Sequence, residues 1–373
     1  MHITLHLTNG CNMKCDYCYA PPADKRSDMT EDIAFHAVEY GSNISPENCG
    51  IIFFGGEPLL KKELITSTIE FSKELKKKRG FRNHFKVTTN GLLLDEDFLE
   101  YCKSVNLMVA LSIDGNKEAH NMHRKTRSGE FTFNVIEPKI NLLLKYQPYA
   151  SFYMTVTPEN VKYYSESFTY LIGKGAKYII ASLNYAGNWN EESLAELKKQ
   201  YKQLAHTYEK LTIEQRKFYF SPFEVKFSSH IKNDELLCEK CHLGMRQVSV
   251  AFDGKIYPCV QFVSRPGFEI GDVWNGIDEN RRASLYKLSQ SKTSECERCA
   301  VSSRCNNNCS CLNIQTTGNI EEVSPILCET ERMLIPIVDR LGGRLYKKRA
   351  PMFIQKHFNS AYPLLSLLED MNN

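Results

Sequence analysis

Three cysteines near the start of this 373-residue chain stand at spacings that suit metal binding. The stretch GCNMKCDYCYA (10–20) contains Cys11, Cys15 and Cys18 on what reads as one loop. Three thiolates can bind three irons of a 4Fe–4S cube, which leaves the fourth iron open to a substrate or cofactor. The spacing also fits a zinc site that lacks its fourth ligand, or free thiols on a loop.

A second and larger group of cysteines lies between residues 238 and 328. Cys241 is followed by twelve residues, Gly254, four residues and Cys259, and CERCAVSSRCNNNC then supplies four more cysteines. Metal binding explains the 14 cysteines better than disulfide bonds do, because a cytosolic environment keeps thiols reduced. Pairs of cysteines separated by two residues are also typical of structural zinc.

The composition is that of an ordinary globular protein, with 42% hydrophobic and 24% charged residues and a net charge of +3. The basic runs at 73–80 and 345–350 are typical of solvated helix faces, so we expect no nucleic-acid partner. A strand-like run begins at residue 2 without a signal peptide, and no apolar run approaches the ~18 residues of a membrane span. The sequence therefore predicts a cytoplasmic protein without a membrane partner.

Strand-like and helix-like segments alternate in the first part of the chain. The predicted strands cover 2–8, 49–56, 84–90, 107–114, 150–157 and 178–184. The predicted helices cover 31–42, 61–79, 95–104, 131–145, 161–173 and 191–212, the first of them with Thr30 as N-cap. Six βα units in succession predict an α/β fold with a parallel sheet, either an open doubly wound sheet or a partial barrel.

Unusual motifs follow four of the predicted strands. Cys11 follows the first strand, and GGEP (55–58), TTNG (88–91) and SIDG (112–115) close the next three. The carboxyl ends of parallel strands meet at one edge of a sheet, where barrel and open-sheet enzymes place their chemistry. We therefore expect these motifs to form one site.

Together the motifs resemble those of the radical S-adenosylmethionine enzymes. CNMKCDYCY has the CxxxCxxC form of that family, and FGGEP, TTNG and LSIDGNKEAHNMHR follow in the expected order. The resemblance implies a partial (β/α)6 TIM-like barrel, with a 4Fe–4S cluster on Cys11, Cys15 and Cys18 and S-adenosylmethionine on its open iron. A non-catalytic iron–sulfur protein for electron transfer or scaffolding is the alternative, which the cofactor motifs disfavour.

The resemblance also implies which residues contact S-adenosylmethionine. They are Tyr17, Gly55, Gly56, Glu57, Ser112 and Arg124. The glycines let the backbone approach the cofactor and the carboxylate accepts from its amino group, while the hydroxyl and the guanidinium face its carboxylate. The tyrosine belongs to the neighbourhood of the adenine. A tight turn is the ordinary alternative for the glycines, and solvation is the alternative for the arginine.

The second cysteine group resembles the SPASM domain that follows the barrel in many peptide-modifying members of this family. The resemblance implies two auxiliary 4Fe–4S clusters, each with four thiolate ligands and no open iron. The first would be bound by Cys238, Cys241, Cys259 and Cys309, and the second by Cys296, Cys299, Cys305 and Cys328. Cys49 and Cys102 are expected to be buried fillers, whereas Cys311 could exchange with a ligand or donate a hydrogen atom to a substrate radical.

The expected organisation is a radical S-adenosylmethionine barrel over 1–220, a SPASM domain over 221–335 and a helical tail over 336–373. Many peptide maturases carry a winged-helix recognition domain before the barrel, whereas the first strand here begins at residue 2. We therefore expect a peptide or protein substrate that is bound through a separate recognition protein or by the barrel mouth and the tail. An electron donor such as flavodoxin or ferredoxin is the other expected partner.

The resemblance implies an oxidoreductase that abstracts hydrogen from a peptide residue with a 5′-deoxyadenosyl radical. A thioether or carbon–carbon crosslink in a ribosomally synthesised peptide is the preferred outcome, because two closed clusters suit the relay of an electron. Sulfatase maturation to formylglycine is the first alternative, but that subfamily has an aspartate base where YPCVQF places Val260. Peptide epimerisation, with Cys311 as hydrogen donor, is the second. No catalytic residue is assigned, although Tyr153, Thr155 and Asn184 end strands five and six and face the expected region.

Overall fold

The computed structural model describes residues 1–19, 26–232, 242–290, 293–305 and 309–371. Within these residues, eleven strands form one sheet. In chain order they are β1 (His2–His6), β2 (Cys49–Phe54), β3 (Asn83–Thr89), β4 (Leu107–Ser112), β5 (Ser151–Val156), β6 (Tyr178–Leu183), β7 (Tyr219–Phe220), β8 (Gln247–Val250), β9 (Lys255–Tyr257), β10 (Gly271–Asp272) and β11 (Gly276–Ile277).

Helices connect the parallel strands and continue into the C-terminal part of the chain. They are α1 (Glu31–Ile44), α2 (Lys62–Arg79), α3 (Glu96–Val105), α4 (Lys117–His123), α5 (Phe133–Tyr146), α6 (Tyr164–Gly173), α7 (Glu191–Ile213), α8 (Ser221–Lys232), α9 (Glu279–Ser289), α10 (Ser294–Glu297), α11 (Ser310–Thr317), α12 (Pro325–Lys347), α13 (Pro351–Phe358) and α14 (Tyr362–Met371). Several begin at a side chain that accepts a first-turn N–H, as Thr30, Asp95 and Asn190 do. None of the described helices combines the length and the apolar character needed to cross a membrane.

The sheet has the strand order β11-β10-β9-β8-β1-β2-β3-β4-β5-β6-β7. Strands β1 to β7 each run parallel to their neighbours, as the six βα units predict, and β7 adds a short seventh strand. β8 pairs in parallel with β1, from His2↔Gln247 to Leu5↔Val250, and the antiparallel β9, β10 and β11 extend the sheet. The cysteine-rich part of the chain is thus attached directly to the first strand of the parallel sheet.

The two faces of the parallel sheet differ in burial. Phe53, Val87 and Phe152 lie on the face that packs against the helices, and they are fully buried in the main core. Their strand neighbours Lys86 and Tyr153 point to the opposite face and are only partly buried. Side chains on this face are therefore less completely covered than those that pack in the main core.

The expected division of the chain can be compared with these elements. The boundary at 220/221 falls between β7 and α8, which follow one another without a loop. The boundary at 335/336 falls inside α12, a continuous helix that packs against α7 and α8. The helix that contains this boundary also carries Cys328, so the expected SPASM segment and the expected tail are continuous in α12, and the three-part division stays a prediction.

Candidate active site and cysteine groups

The GGEP motif holds the loop that leads to the first cysteine. The Gly56 N–H donates to the Thr8 carbonyl at 2.8 Å, and the Glu57 N–H donates to the Gly10 carbonyl at 2.9 Å. A Cβ atom at Gly56 would lie 2.2 Å from the Gly10 carbonyl oxygen, and one at Gly55 would lie 2.4 Å from that of Thr8. Both glycines therefore permit close packing of two loops, which is a structural use alongside the cofactor contact expected for them.

Asn90, which follows β3 in the TTNG motif, contacts the same cysteine loop. Its Nδ2 donates to the Asn12 Oδ1 at 2.7 Å and reaches the Cys11 Sγ at 3.7 Å. The Met13 N–H also donates to the Cys11 Sγ, at 3.3 Å. Donors directed at a sulfur favour its thiolate form, which is the form that binds metal. Asn90 belongs to the TTNG motif, but no role was predicted for this residue.

The Glu57 carboxylate is buried and held by protein donors. Its Oε1 accepts from the Leu59 N–H at 2.9 Å and the Thr89 hydroxyl at 2.7 Å, and its Oε2 accepts from the Asn90 N–H at 2.7 Å. Burial raises the pKa of Glu57, although these donors lower it in part. A carboxylate offers about four lone-pair sites, so the three bonds leave one for the amino group of a cofactor.

Tyr17 and Arg124 converge on Asp114, a residue of the SIDG motif that was not predicted as a site residue. Asp114 accepts from the Tyr17 hydroxyl at 2.7 Å, and from the Arg124 Nε and Nη2 at 3.0 and 3.2 Å. The Thr155 N–H also donates to it, at 3.0 Å. Burial lowers the pKa of Arg124, but Asp114, Tyr17 and Cys15 outweigh burial and raise it. Arg124 is therefore a fixed cation close to the cysteine loop.

The expected substrate-side residues lie near the same strand ends. Ser112 ends β4 and pairs in register with Tyr153 on β5, whose hydroxyl accepts a hydrogen bond from the Lys86 Nζ. Thr155 lies two residues further along β5, and Asn184 follows β6, where its carbonyl accepts from the Trp189 indole N–H at 2.7 Å. Lys86 was not predicted, although a lysine within a strand of a parallel sheet is an unusual position that could have drawn attention to it.

The three thiols of the first loop are electrostatic neighbours of one another. Burial raises the pKa of Cys15 to about 12, and Asp114, Cys18 and Cys11 contribute to that rise. Burial also raises the pKa of Cys11, with contributions from Glu57 and Cys18. No three His, Cys, Asp or Glu side chains among the described residues are arranged to bind a single metal ion. A cluster binds each thiolate through a different iron, so its ligands need not converge on one point.

A second group of thiols contains Cys259, Cys309 and Cys311. The Cys309 and Cys311 Sγ atoms are 3.3 Å apart. A hydrogen bond from Cys311 lowers the pKa of Cys259 and raises that of Cys311. Cys311 thus lies between two expected ligands of the first auxiliary cluster. The other two expected ligands, Cys238 and Cys241, lie outside the described residues.

The four cysteines expected to bind the second auxiliary cluster line one cavity. Cys296, Cys299, Cys305 and Cys328 surround a space of about 460 Å³. They come from α10, from the turns that follow it and from the first turn of α12, so four separate segments deliver one thiol each. The donor set and the shared cavity fit an iron–sulfur cluster.

Two of the remaining cysteines are in the core. Cys49 on β2 and Cys102 on α3 are fully buried among apolar side chains. Burial raises the pKa of Cys49 to about 11 and that of Cys102 to about 12. Both thiols therefore remain protonated at neutral pH, as expected of buried fillers.

Comparison with known proteins agrees with this arrangement. Residues 5–171 match the Radical SAM superfamily. The chain is 26% identical over 330 residues to a cysteine-type anaerobic sulfatase-maturating enzyme of Clostridium perfringens, an alignment covering 81% of this chain and 86% of that enzyme. Sequence similarity to that enzyme therefore extends well beyond the radical S-adenosylmethionine barrel.

Solved structures share the fold. The structure of native anSMEcpe with bound AdoMet and Cp18Cys peptide has a TM-score of 0.81 and 22% identity, and the match covers 93% of this chain and 99% of that one. Streptococcus suis SuiB bound to precursor peptide SuiA has a TM-score of 0.63 and 15% identity, with 88% and 75% of the two chains covered. These matches confirm the predicted α/β partial barrel followed by a smaller C-terminal region. Residues 5–171 therefore form a radical S-adenosylmethionine domain, in a chain related along most of its length to an anaerobic sulfatase-maturating enzyme.

Proposed function

We propose that this protein is a radical S-adenosylmethionine enzyme that modifies a peptide, with a thioether or carbon–carbon crosslink as the product. When bound, the first cluster and S-adenosylmethionine supply a 5′-deoxyadenosyl radical that removes hydrogen from an unactivated carbon. Cys11, Cys15 and Cys18 would hold that cluster. Glu57 would accept from the cofactor amino group, and Ser112 with Arg124 would face its carboxylate.

The barrel and the cysteine-rich region would have different roles. The barrel over 1–220 would position the cofactor and the target carbon, and residues 221–335 would hold two auxiliary clusters. Cys296, Cys299, Cys305 and Cys328 would bind one of them, and their shared cavity supports this assignment. Cys259 and Cys309, with Cys238 and Cys241, would bind the other. Tyr19 lies between the two regions, because Cys18 of the first loop and Cys259 and Cys311 of the cysteine-rich region are all its electrostatic neighbours.

The observation that favours crosslinking is the side chain that follows Cys259. Val260 begins the short helical turn Val260–Phe262 and packs at the edge of the apolar cluster around Phe262. An alkyl side chain takes no proton from a substrate thiol or hydroxyl, which the proposed aspartate of sulfatase maturases would do. Formylglycine formation remains the second candidate function, supported by the similarity to the Clostridium perfringens enzyme over most of both chains.

The substrate would bind in the barrel interior. Lys86 and Tyr153 are partly buried and joined by a hydrogen bond, and Tyr153 pairs in register with Ser112 at the end of β4. A peptide or protein substrate would enter this space. It would be recognised by a separate protein or by the barrel mouth and the C-terminal helices, and an electron donor such as flavodoxin or ferredoxin would reduce the clusters.

The first experiment measures iron, sulfide and zinc in the anaerobically purified chain, followed by reduction with dithionite in the presence of S-adenosylmethionine. Three clusters predict about twelve irons per chain and release of 5′-deoxyadenosine. The Cys11→Ala/Cys15→Ala/Cys18→Ala variant should keep about eight irons and release no nucleoside. Nucleoside release by that variant would refute the assignment of the first cluster.

The outcome of the reaction is tested with the Cp18Cys peptide as probe. Under the crosslinking proposal the chain forms no aldehyde on this peptide, as measured by hydrazide labelling and mass analysis, while it still releases 5′-deoxyadenosine. The Val260→Asp variant is the matched change, because it restores a carboxylate at that position. Aldehyde formation by the unmodified chain would establish formylglycine formation instead and overturn the crosslinking proposal.

A further inference from the structure

One cation lies at the cavity that contains Cys296, Cys299, Cys305 and Cys328. Arg332 is exposed on α12 and lines this cavity, together with the acidic side chains of Glu295, Glu322 and Glu329. Among the described residues that line it, Arg332 is the single positively charged one. The spacing of cysteines did not indicate this residue, because it lies outside every cysteine motif.

The geometry of α12 directs Arg332 towards the thiols. Arg332 follows Cys328 by four residues, so the two side chains lie on the same face of the helix one turn apart. The guanidinium is an electrostatic neighbour of the Cys299 thiol, which lies on a different segment of the same cavity wall. Arg332 therefore connects the helix that supplies one expected ligand with the turn that supplies another.

A second polar side chain lies beside another thiol of this cavity. The Thr293 hydroxyl, at the N-cap of α10, lies 3.4 Å from the Cys296 sulfur. Two of the four expected ligands thus have a polar side chain beside the sulfur, but only Arg332 also brings a positive charge. Hydrogen bonds and charges near the sulfurs are the main means by which a protein sets the potential of an iron–sulfur cluster.

We propose that Arg332 is a positioning residue that orients Cys299 towards the cavity and raises the reduction potential of the cluster bound there. The inference rests on the auxiliary cluster of the proposed function. Four thiolates and three nearby carboxylates make this cavity strongly negative, so an added electron is disfavoured there. One guanidinium beside a ligand sulfur opposes that charge and favours the reduced cluster.

The test is a redox titration of the full chain after anaerobic reconstitution, followed by electron paramagnetic resonance. The signal that disappears in the Cys296→Ala variant belongs to this cavity. Arg332→Gln keeps a hydrogen-bond donor but removes the charge, and it should shift the midpoint potential of that signal to more negative values. Arg332→Lys keeps the charge, so its midpoint potential should stay close to that of the unmodified chain.

Two further variants serve as matched controls. Glu329→Gln removes a negative charge from the same cavity and should shift the midpoint in the opposite direction, to more positive values. Arg340→Gln removes a positive charge two turns further along α12, away from the cavity lining, and should leave the midpoint unchanged. Because Arg332 is exposed, the charge effect should also decrease as the salt concentration rises.

The outcomes distinguish the role of Arg332 from the presence of the auxiliary cluster itself. A full iron content with an unchanged midpoint in Arg332→Gln would overturn the role of Arg332 and leave the auxiliary cluster in place. Loss of iron in Arg332→Gln that Arg332→Lys restores would support the positioning role. If Cys296→Ala removes no iron, or if the cavity holds zinc, the auxiliary cluster itself is refuted, and the inference about Arg332 falls with it.

Discussion

Replacement of Asp114 tests the structural basis of the candidate site. The Asp114 side chain has no exposed surface, and that of Arg124 is 9% exposed. Asp114→Asn removes the negative charge but keeps the size, so the buried guanidinium loses its counter-ion. Removal of one partner from a buried ion pair typically costs about 3–5 kcal/mol. The amide also cannot accept all four hydrogen bonds that the carboxylate receives, because one of its two polar atoms is a donor.

We therefore expect Asp114→Asn to lower the free energy of unfolding by about 3 kcal/mol or more. Urea unfolding of the reconstituted chain, followed by circular dichroism, measures this loss. Tyr17→Phe removes one hydrogen bond to a charged group and should cost less, about 1.5 kcal/mol. The double variant Asp114→Leu/Arg124→Met removes both charges and should be more stable than Asp114→Asn. A loss below about 1 kcal/mol for Asp114→Asn would mean that water solvates the pair, which would refute its assignment as a buried anchor.

Three further predictions concern other contacts of the structure. Gly56→Ala places a Cβ 2.2 Å from the Gly10 carbonyl oxygen, so we expect a loss of about 1–3 kcal/mol in urea unfolding and a lower iron content; normal iron binding would contradict the role given to this contact. Burial lowers the pKa of His6 from 6.5 to about 3, so below about pH 6 the unfolded chain binds a proton that the folded chain does not. His6→Leu should therefore reduce the loss of stability on acidification by about 1.4 kcal/mol per pH unit, and an unchanged slope would contradict the prediction. Arg304→Ala removes two 2.7 Å bonds to Asp339, so we expect lower stability and selective loss of iron from the neighbouring cavity, and intact iron content would argue against it.

The barrel elements were predictable because each has a strong local pattern. The predicted strands begin within one residue of β1 to β6 and extend one or two residues past their ends. The excess includes residues of the GGEP, TTNG and SIDG motifs, which follow the strands instead of belonging to them. Thr8, for example, was assigned to the first strand, yet it forms a bridge with Asp28 instead of continuing the pairing with β2. The local sequence pattern determines where a strand lies. The last residue that pairs with the adjacent strand depends instead on the loop that follows.

The C-terminal architecture was less predictable because its defining contacts are distant in sequence. Strands β9 to β11 are two or three residues long, too short for alternation to be detected. The parallel pairing of β8 with β1 joins residues about 245 positions apart, as in His2↔Gln247. No local signal encodes such a pairing, since it is selected by the burial that both strands achieve together.

Within the candidate site, motifs identified positions but not partners. Arg124 was expected to face a cofactor carboxylate, and the structure shows that a carboxylate of the chain, Asp114, already holds it. Asn90 and Lys86 were overlooked because their importance depends on side chains distant in sequence, namely Asn12 on the cysteine loop and Tyr153 on β5. Residue type and spacing therefore predicted where the site lies more accurately than they predicted its internal bonding.

The contacts of Lys226 indicate that barrel packing and the cysteine cavity depend on each other. Lys226 on α8 is 2% exposed, and its Nζ donates to the Glu331 carboxylate at 2.6 Å and to the Arg304 carbonyl at 3.3 Å. Burial of an ammonium group is costly unless its hydrogen bonds are satisfied. The carbonyl that accepts the second bond belongs to Arg304, the residue directly before Cys305. Both hydrogen bonds of the Lys226 ammonium group are therefore made only when the turn that carries Cys305 is ordered. Metal binding that orders the turn should therefore stabilise the packing of α8 on α12, and loss of metal should loosen the barrel as well as the cavity.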